Sequence, residues 1–150
     1  MRIMDFLSQS DAIVDVRAHD KNRLLKELCN RAASALKLDA DRISNDISKR
    51  EELGSTGVGG GVAVPHARFR DLKAPFGILA RLQSAIDFNA IDGQPVDIVF
   101  LLLIPSDPAG EQLNALAAIT RKLRNPNAVR DLRQAADNAG LYRAMVAELE

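Results

Sequence analysis

The apolar and polar positions of this chain follow two different periods. Ala12 to Arg17 alternates branched apolar with polar side chains, as a half-buried strand does, and Asp20 stands where a helix N-cap belongs. From Lys21 to Lys37 the period lengthens. Leu24, Leu25, Leu28, Cys29, Ala32 and Leu36 fall on one helical stripe, with Arg23, Lys26, Asn30 and Arg31 outside it. Asp39 or Asp41 can cap a second helix that turns Ile43 and Ile47 inward, with Leu53 as a further candidate. That helix ends where Gly54 permits a left-handed C-terminal turn, and Arg50 lies in its last turn or two.

Further on, Val62 to Val64, Phe76 to Leu82, Ala85 to Phe88 and Val96 to Ile104 are short, branched or aromatic, and punctuated by turns such as Asp92-Gly93. They predict a sheet. Asp107 caps and Pro108 opens another helix, with Leu113, Leu116, Ala117, Thr120 and Leu123 at three- and four-residue spacing; Asn125-Pro126 then restarts the chain for helical segments at 126–136 and 139–149. Helices thus precede and follow the strands, and a near-continuous apolar strand from Asp97 to Ile104 needs cover on both faces. The expectation is an α/β fold: a three-layer sandwich with a mixed parallel and antiparallel sheet covered by helices on both faces.

Composition narrows the class. At 150 residues with 47% hydrophobic side chains, one domain spanning 1–150 is the default. Twenty basic and twenty acidic residues cancel, leaving no field to hold a polyanion, so nucleic acid is not an expected partner. The longest apolar run, Ile98 to Ile104, falls far short of the roughly 20 residues that span a bilayer, so no membrane insertion is expected. Met1-Arg2-Ile3-Met4-Asp5-Phe6 meets an acid before an apolar stretch develops, unlike a secretory signal. The single cysteine, Cys29, fits a reducing compartment and reads as a buried small hydrophobe. A cytoplasmic location follows as an expectation. His19 lies in a polar loop and His66 in quite different surroundings, so neither a metal site nor a cofactor is expected.

Candidate chemistry gathers between Lys49 and Arg68, where a basic helix end, the hydroxyls of Ser55 and Thr56, four glycines and one histidine meet. Gly57, Gly59, Gly60 and Gly61 free the backbone for unusual dihedrals and bring N–H groups close to an anion or partner. This is neither a dinucleotide fingerprint nor a Walker loop. It follows a helix instead of a strand, lacks the final glycine of the former, and lacks the Gly-Lys-Ser/Thr ending of the latter. His66 comes directly after the apolar Val62-Ala63-Val64 strand and after Pro65, which fixes φ and removes a donor, so the imidazole is presented from a rigid strand end. Only histidine offers a neutral nitrogen near cytosolic pH that can take a phosphoryl group and then release it readily. Such transfer needs positioning and positive charge more than a strong base, and Arg50 or Arg68 can supply the charge. The plainer alternatives are a strand-end histidine satisfied by a backbone carbonyl, and arginines that are merely solvated surface.

At Arg50-Glu51-Glu52-Leu53-Gly54-Ser55-Thr56-Gly57 and Val62-Ala63-Val64-Pro65-His66 the chain resembles the enzyme IIA domains of the phosphoenolpyruvate-dependent sugar phosphotransferase system, fructose/mannitol class, and especially their nitrogen-regulatory branch. The likeness runs from Met4-Asp5-Phe6-Leu7 through Pro95 to Phe100 to Leu141-Tyr142, which implies a single type 2 IIA domain over residues 1–150. The resemblance implies that His66 is phosphorylated by a histidine phosphocarrier protein and that Arg50 holds the phosphate. Ser55, Thr56, Gly59, Gly60, Arg68 and Gln112 are further candidates for lining the site. Family members usually carry a second histidine at the start of the helix after the central strand. Gln112-Leu113-Asn114-Ala115-Leu116 stands there instead, and a glutamine hydrogen-bonds without carrying charge.

Three functions fit these residues. The first is a regulatory phosphocarrier that signals to a target such as a potassium transporter or sensor kinase. The second is a sugar-uptake intermediate that passes phosphate to an enzyme IIB. The third is an anion-binding module that is never modified.

Overall fold

The computed structural model describes residues 1–106 and 111–149, with the side chains of 111–113 outside that description. Six strands form one sheet: β1 (Ala12–Val16), β2 (Gly57–Gly59), β3 (Val62–Ala63), β4 (His66–Phe69), β5 (Phe76–Ile86) and β6 (Val96–Pro105). Their order is β1-β5-β6-β3-β2, with β4 also paired to β6. β5 runs antiparallel to β6 and β2 to β3, whereas β1 on β5 and both β3 and β4 on β6 are parallel. The sheet is therefore mixed, as expected. Among the described residues there are five helices: α1 (Lys21–Leu36), α2 (Ala40–Leu53), α3 (Glu111–Arg124), α4 (Pro126–Gln134) and α5 (Asn138–Val146).

Strand alternation builds two cores. Ile78, Ala80 and Leu82 of β5 and Val99, Leu101 and Leu103 of β6 pack with α1 and α2. Leu79 of β5 and Ile98, Phe100, Leu102 and Ile104 of β6 point the other way, against α3, α4 and α5. This is why β6 is apolar without interruption: both of its faces are covered, and only Asp97 escapes full burial. Each large side chain so buried contributes about 1.5–3 kcal/mol.

The helix ends follow the expected signals, with adjustments. Asp20 accepts the Arg23 N–H and starts α1, which stops at Lys37 in the left-handed region, φ +57°. Asp39, not Asp41, caps α2. Gly54 after α2 is extended at φ 163°, a conformation open to any residue, so the anticipated left-handed turn is absent. Leu53 is 87% exposed. Four residues on from Ile47, the inward position of the last turn falls to Glu51, and Leu53 lies about 120° farther round the helix than Ile47.

The strands also differ from the sequence pattern. Phe76–Leu82 and Ala85–Phe88 join into one strand, β5, whose register with β6 shifts between Arg81 and Ile86 where Gln83, Ser84 and Ala85 are exposed; Phe88 lies past its end. The glycine segment contributes β2, and His66 opens a strand of its own. In α3 the buried line runs through Ala115, Ile119 and Leu123, leaving Ala117 exposed. The proposed cap at Asp107 and Pro108 lies outside the described residues.

Candidate functional site

The glycine segment folds as a hairpin. Gly57 faces Ala63 and Gly59 faces Val62, and the turn passes through Gly60 at φ +69° and Gly61 at φ +81°, values that side chains rarely tolerate. The Gly60 N–H donates to Asp92 Oδ2 at 3.1 Å, and its carbonyl accepts from Arg133 Nη2 at 2.7 Å. Arg133 also forks onto both oxygens of Asp97, at 2.9 and 3.0 Å. Gly59 and Gly60 thus sit at the end of the hairpin away from His66, and the Gly60 N–H and C=O are bonded within the chain.

His66 is placed by β6. Val62 pairs with Ile98, Ala63 with Val99, His66 with Leu102 and Ala67 with Leu103, so β3 and β4 lie along one edge of β6 in unbroken register across Val64-Pro65. Pro65 accepts the Leu102 N–H at 2.9 Å but offers no N–H of its own, so the line is interrupted without being shifted. His66 is therefore the first residue of a strand rather than the tail of the preceding one. Ala67 and Phe69 turn into the core beneath α1 and α2, and alternation turns the half-buried His66 the other way.

His66 Nδ1 lies 2.8 Å from the Val64 carbonyl. A carbonyl only accepts, so Nδ1 carries the proton and Nε2 keeps the free lone pair. Burial is the main force lowering the proton affinity of the ring. The Arg50 charge adds to it, the Val64 hydrogen bond and Glu51 oppose it, and the balance leaves the pKa below the usual 6.5. At neutral pH the ring is uncharged, with the lone pair on Nε2 and no partner for that nitrogen among the described residues.

Arg50, in the last turn of α2, donates to the Gly54 carbonyl at 2.9 Å, and its charge acts on the imidazole of His66. Its neighbour Glu51 turns inward. The Glu51 carboxylate is 2.7 Å from Lys21 Nζ, with 6% and 14% of the two side chains exposed, and it accepts from the Thr56 N–H at 3.3 Å and from the Thr56 hydroxyl. Ser55 Oγ donates to the Phe88 carbonyl at 2.8 Å and accepts the Gly57 N–H at 3.1 Å. Both hydroxyls are thus engaged in shaping the turn between α2 and the hairpin.

The other candidates fall elsewhere. Arg68 is exposed in a cleft of about 470 Å³ with Arg42, Asn45, Asp46, Lys49, Arg70 and Ser106, and His66 does not line it. The Gln112 side chain lies outside the described residues. His19 is exposed, and Cys29 is fully buried with its thiol pushed up to about 12 by desolvation. Among the described residues no group of three His, Cys, Asp or Glu is placed to hold a metal ion, and no helix is long and apolar enough to cross a membrane.

Sequence reasoning assigned no role to Glu51 or to Lys21. The inward phase of Glu51 on α2 was a usable signal. Nothing in the spacing links it to Lys21, thirty residues away on another helix.

An uncharged imidazole with one nitrogen tied back, the lone pair on the other, and a guanidinium charge acting on the ring can accept a phosphoryl group and steady its charge. Known proteins point in the same direction. The chain matches the family described as "Phosphoenolpyruvate-dependent sugar phosphotransferase system, EIIA 2" over residues 5–147. It is 38% identical to a nitrogen regulatory protein of Bradyrhizobium diazoefficiens across 95% of this chain and 93% of that one. It is 35% identical to one from Pseudomonas aeruginosa across 97% and 96%. The crystal structure of nitrogen regulatory protein IIA-Ntr from Neisseria meningitidis superposes with a TM-score of 0.89 at 31% identity, covering 97% of this chain and 99% of that one. The imidazole and guanidinium therefore belong to a member of the EIIA 2 family of the phosphotransferase system, within its nitrogen-regulatory branch.

Proposed function

We propose that this chain, acting as one IIA unit over residues 1–150, is a regulatory phosphocarrier. His66 accepts a phosphoryl group at Nε2 from the phosphohistidine of a histidine phosphocarrier protein. The P–N bond of the donor breaks as the new P–N bond forms, and the donor imidazole leaves. Arg50 stabilises the charge on the transferring group, and the phosphate then changes which target, such as a potassium transport or sensor kinase protein, docks on this surface. A phosphoryl group brings about −1.5 to −2 charges, enough to create or abolish such docking. The observation that carries the reading is the His66 Nδ1 to Val64 carbonyl contact at 2.8 Å, which leaves Nε2 as the nucleophile.

Incubation of the chain with phosphoenolpyruvate, enzyme I and a histidine phosphocarrier tests it. The expected result is an acid-labile, alkali-stable mass increase that is lost in His66→Ala. Arg50→Ala slows labelling by about two orders of magnitude, in keeping with a loss of roughly 3 kcal/mol when one charge-stabilising donor is removed. Retention of label in His66→Ala rejects the acceptor assignment. Rapid discharge of the label to an added enzyme IIB would instead assign the chain to sugar uptake, and anion binding with no labelling would assign it to an unmodified binding module.

A further inference from the structure

A continuous path of bonds joins α1 to the imidazole without passing through Arg50. Lys21 Nζ, at the first turn of α1, lies 2.7 Å from Glu51 Oε2 and donates to the Phe88 carbonyl at 3.2 Å, with the Phe88 ring centred 4.5 Å from the ammonium. Glu51 holds Thr56 by both its N–H and its hydroxyl. The Thr56 carbonyl accepts the Val64 N–H at 3.1 Å, and the Val64 carbonyl accepts from His66 Nδ1 at 2.8 Å. Each link fixes the backbone group that the next one uses.

We propose that Lys21 is a positioning residue for phosphoryl acceptance: by clamping Glu51 onto Thr56 it sets the Val64 carbonyl that holds His66 in the tautomer with Nε2 free. The proposal rests on the reading of His66 as the acceptor. The described partners of Lys21 are Glu51 and Phe88, and its effect reaches His66 through the backbone. Two features separate this pair from an ordinary surface ion pair, which contributes little. Both charges are largely out of water, so removing either leaves the other uncompensated. Both carboxylate oxygens also bond Thr56, so the position of Glu51 sets that of the turn.

The test uses the full chain, donor-dependent labelling rates, and ¹⁵N ring shifts of the unphosphorylated protein. Lys21→Met is expected to lower the limiting labelling rate by roughly ten- to a hundredfold, the scale at which small misplacements act, while the KM for the donor stays unchanged. The ring should then pass from a single Nδ1–H tautomer to a mixture. Lys21→Arg, which keeps the charge, recovers most of the loss. Thr56→Val removes the hydroxyl link to Glu51 and leaves the N–H link with Lys21 in place, should give the same two changes to a smaller degree, and serves if Lys21→Met does not fold.

Wild-type rates with the Nδ1–H tautomer intact in Lys21→Met or Thr56→Val overturn the proposal. A lowered rate with the tautomer unchanged, or a raised KM, also overturns it by assigning the effect to folding or donor docking. If the wild-type chain takes no label, the acceptor reading fails, and the tautomer of the variants still decides whether the clamp exists.

Discussion

A histidine serves as a phosphoryl acceptor when its ring is unprotonated and the correct nitrogen faces outward. At His66 burial and the Arg50 charge favour the neutral ring, and the Val64 carbonyl selects which nitrogen is free. The sign of the shift can be checked. The ring of His66, followed by NMR, should titrate with a midpoint below 6.5, so the neutral form already predominates at pH 7 and is lost only as the pH falls through that lower value. In Arg50→Ala the midpoint should rise, because a positive neighbour that opposes protonation has been removed. A midpoint at or above 6.5 in the wild-type protein would contradict the electrostatic account of the site.

At the scale of elements, the hairpin of β2 and β3 is what brings the Thr56 carbonyl to Val64, and its turn is clamped by Arg133 of α4, Asp97 of β6 and Asp92. Gly61 sits at φ +81°, and a Cβ there would fall 2.4 Å from Arg133 Nη2. Gly61→Ala therefore strains the backbone and displaces the guanidinium from Asp97. Its cost is expected at about 1–3 kcal/mol, measured as a lowered denaturation midpoint. Gly60→Ala meets no atom within 4 Å and should lose only the backbone part. Equal losses for the two would show that Arg133 does not brace the turn.

The whole molecule depends on β6, which carries both cores and sets the register of β3 and β4. Phe100, fully buried, packs edge-on to Phe6 with ring centroids 6.2 Å apart, and its ring occupies the space left by Gly77, where a Cβ would come within 2.5 Å. Phe100→Ala should cost about 3–5 kcal/mol in urea unfolding, with an unchanged slope against denaturant if the fold is retained. If His66 takes the phosphoryl group as proposed, labelling should fall only in proportion to the fraction unfolded, since Phe100 belongs to the core facing α3 to α5.

The amino-acid order alone determined the local events: the Asp20 cap, the Leu24–Leu36 stripe, the buried β6 run, the mixed sandwich, and the meeting of Arg50, glycines and His66 in one segment. Each depends on side-chain period or on neighbours within a few residues. Tertiary structure decided the rest. Whether 54–65 forms a loop or a hairpin, whether His66 ends one strand or begins another, and which nitrogen it frees depend on pairing with Ile98 to Leu102 and on the Val64 carbonyl. Glu51 shows the same division: its helical phase was readable, whereas its partner Lys21 is near only because α1 and α2 pack on the same face of the sheet. Contacts between residues distant in sequence leave no spacing to read, and this site is held together by such contacts.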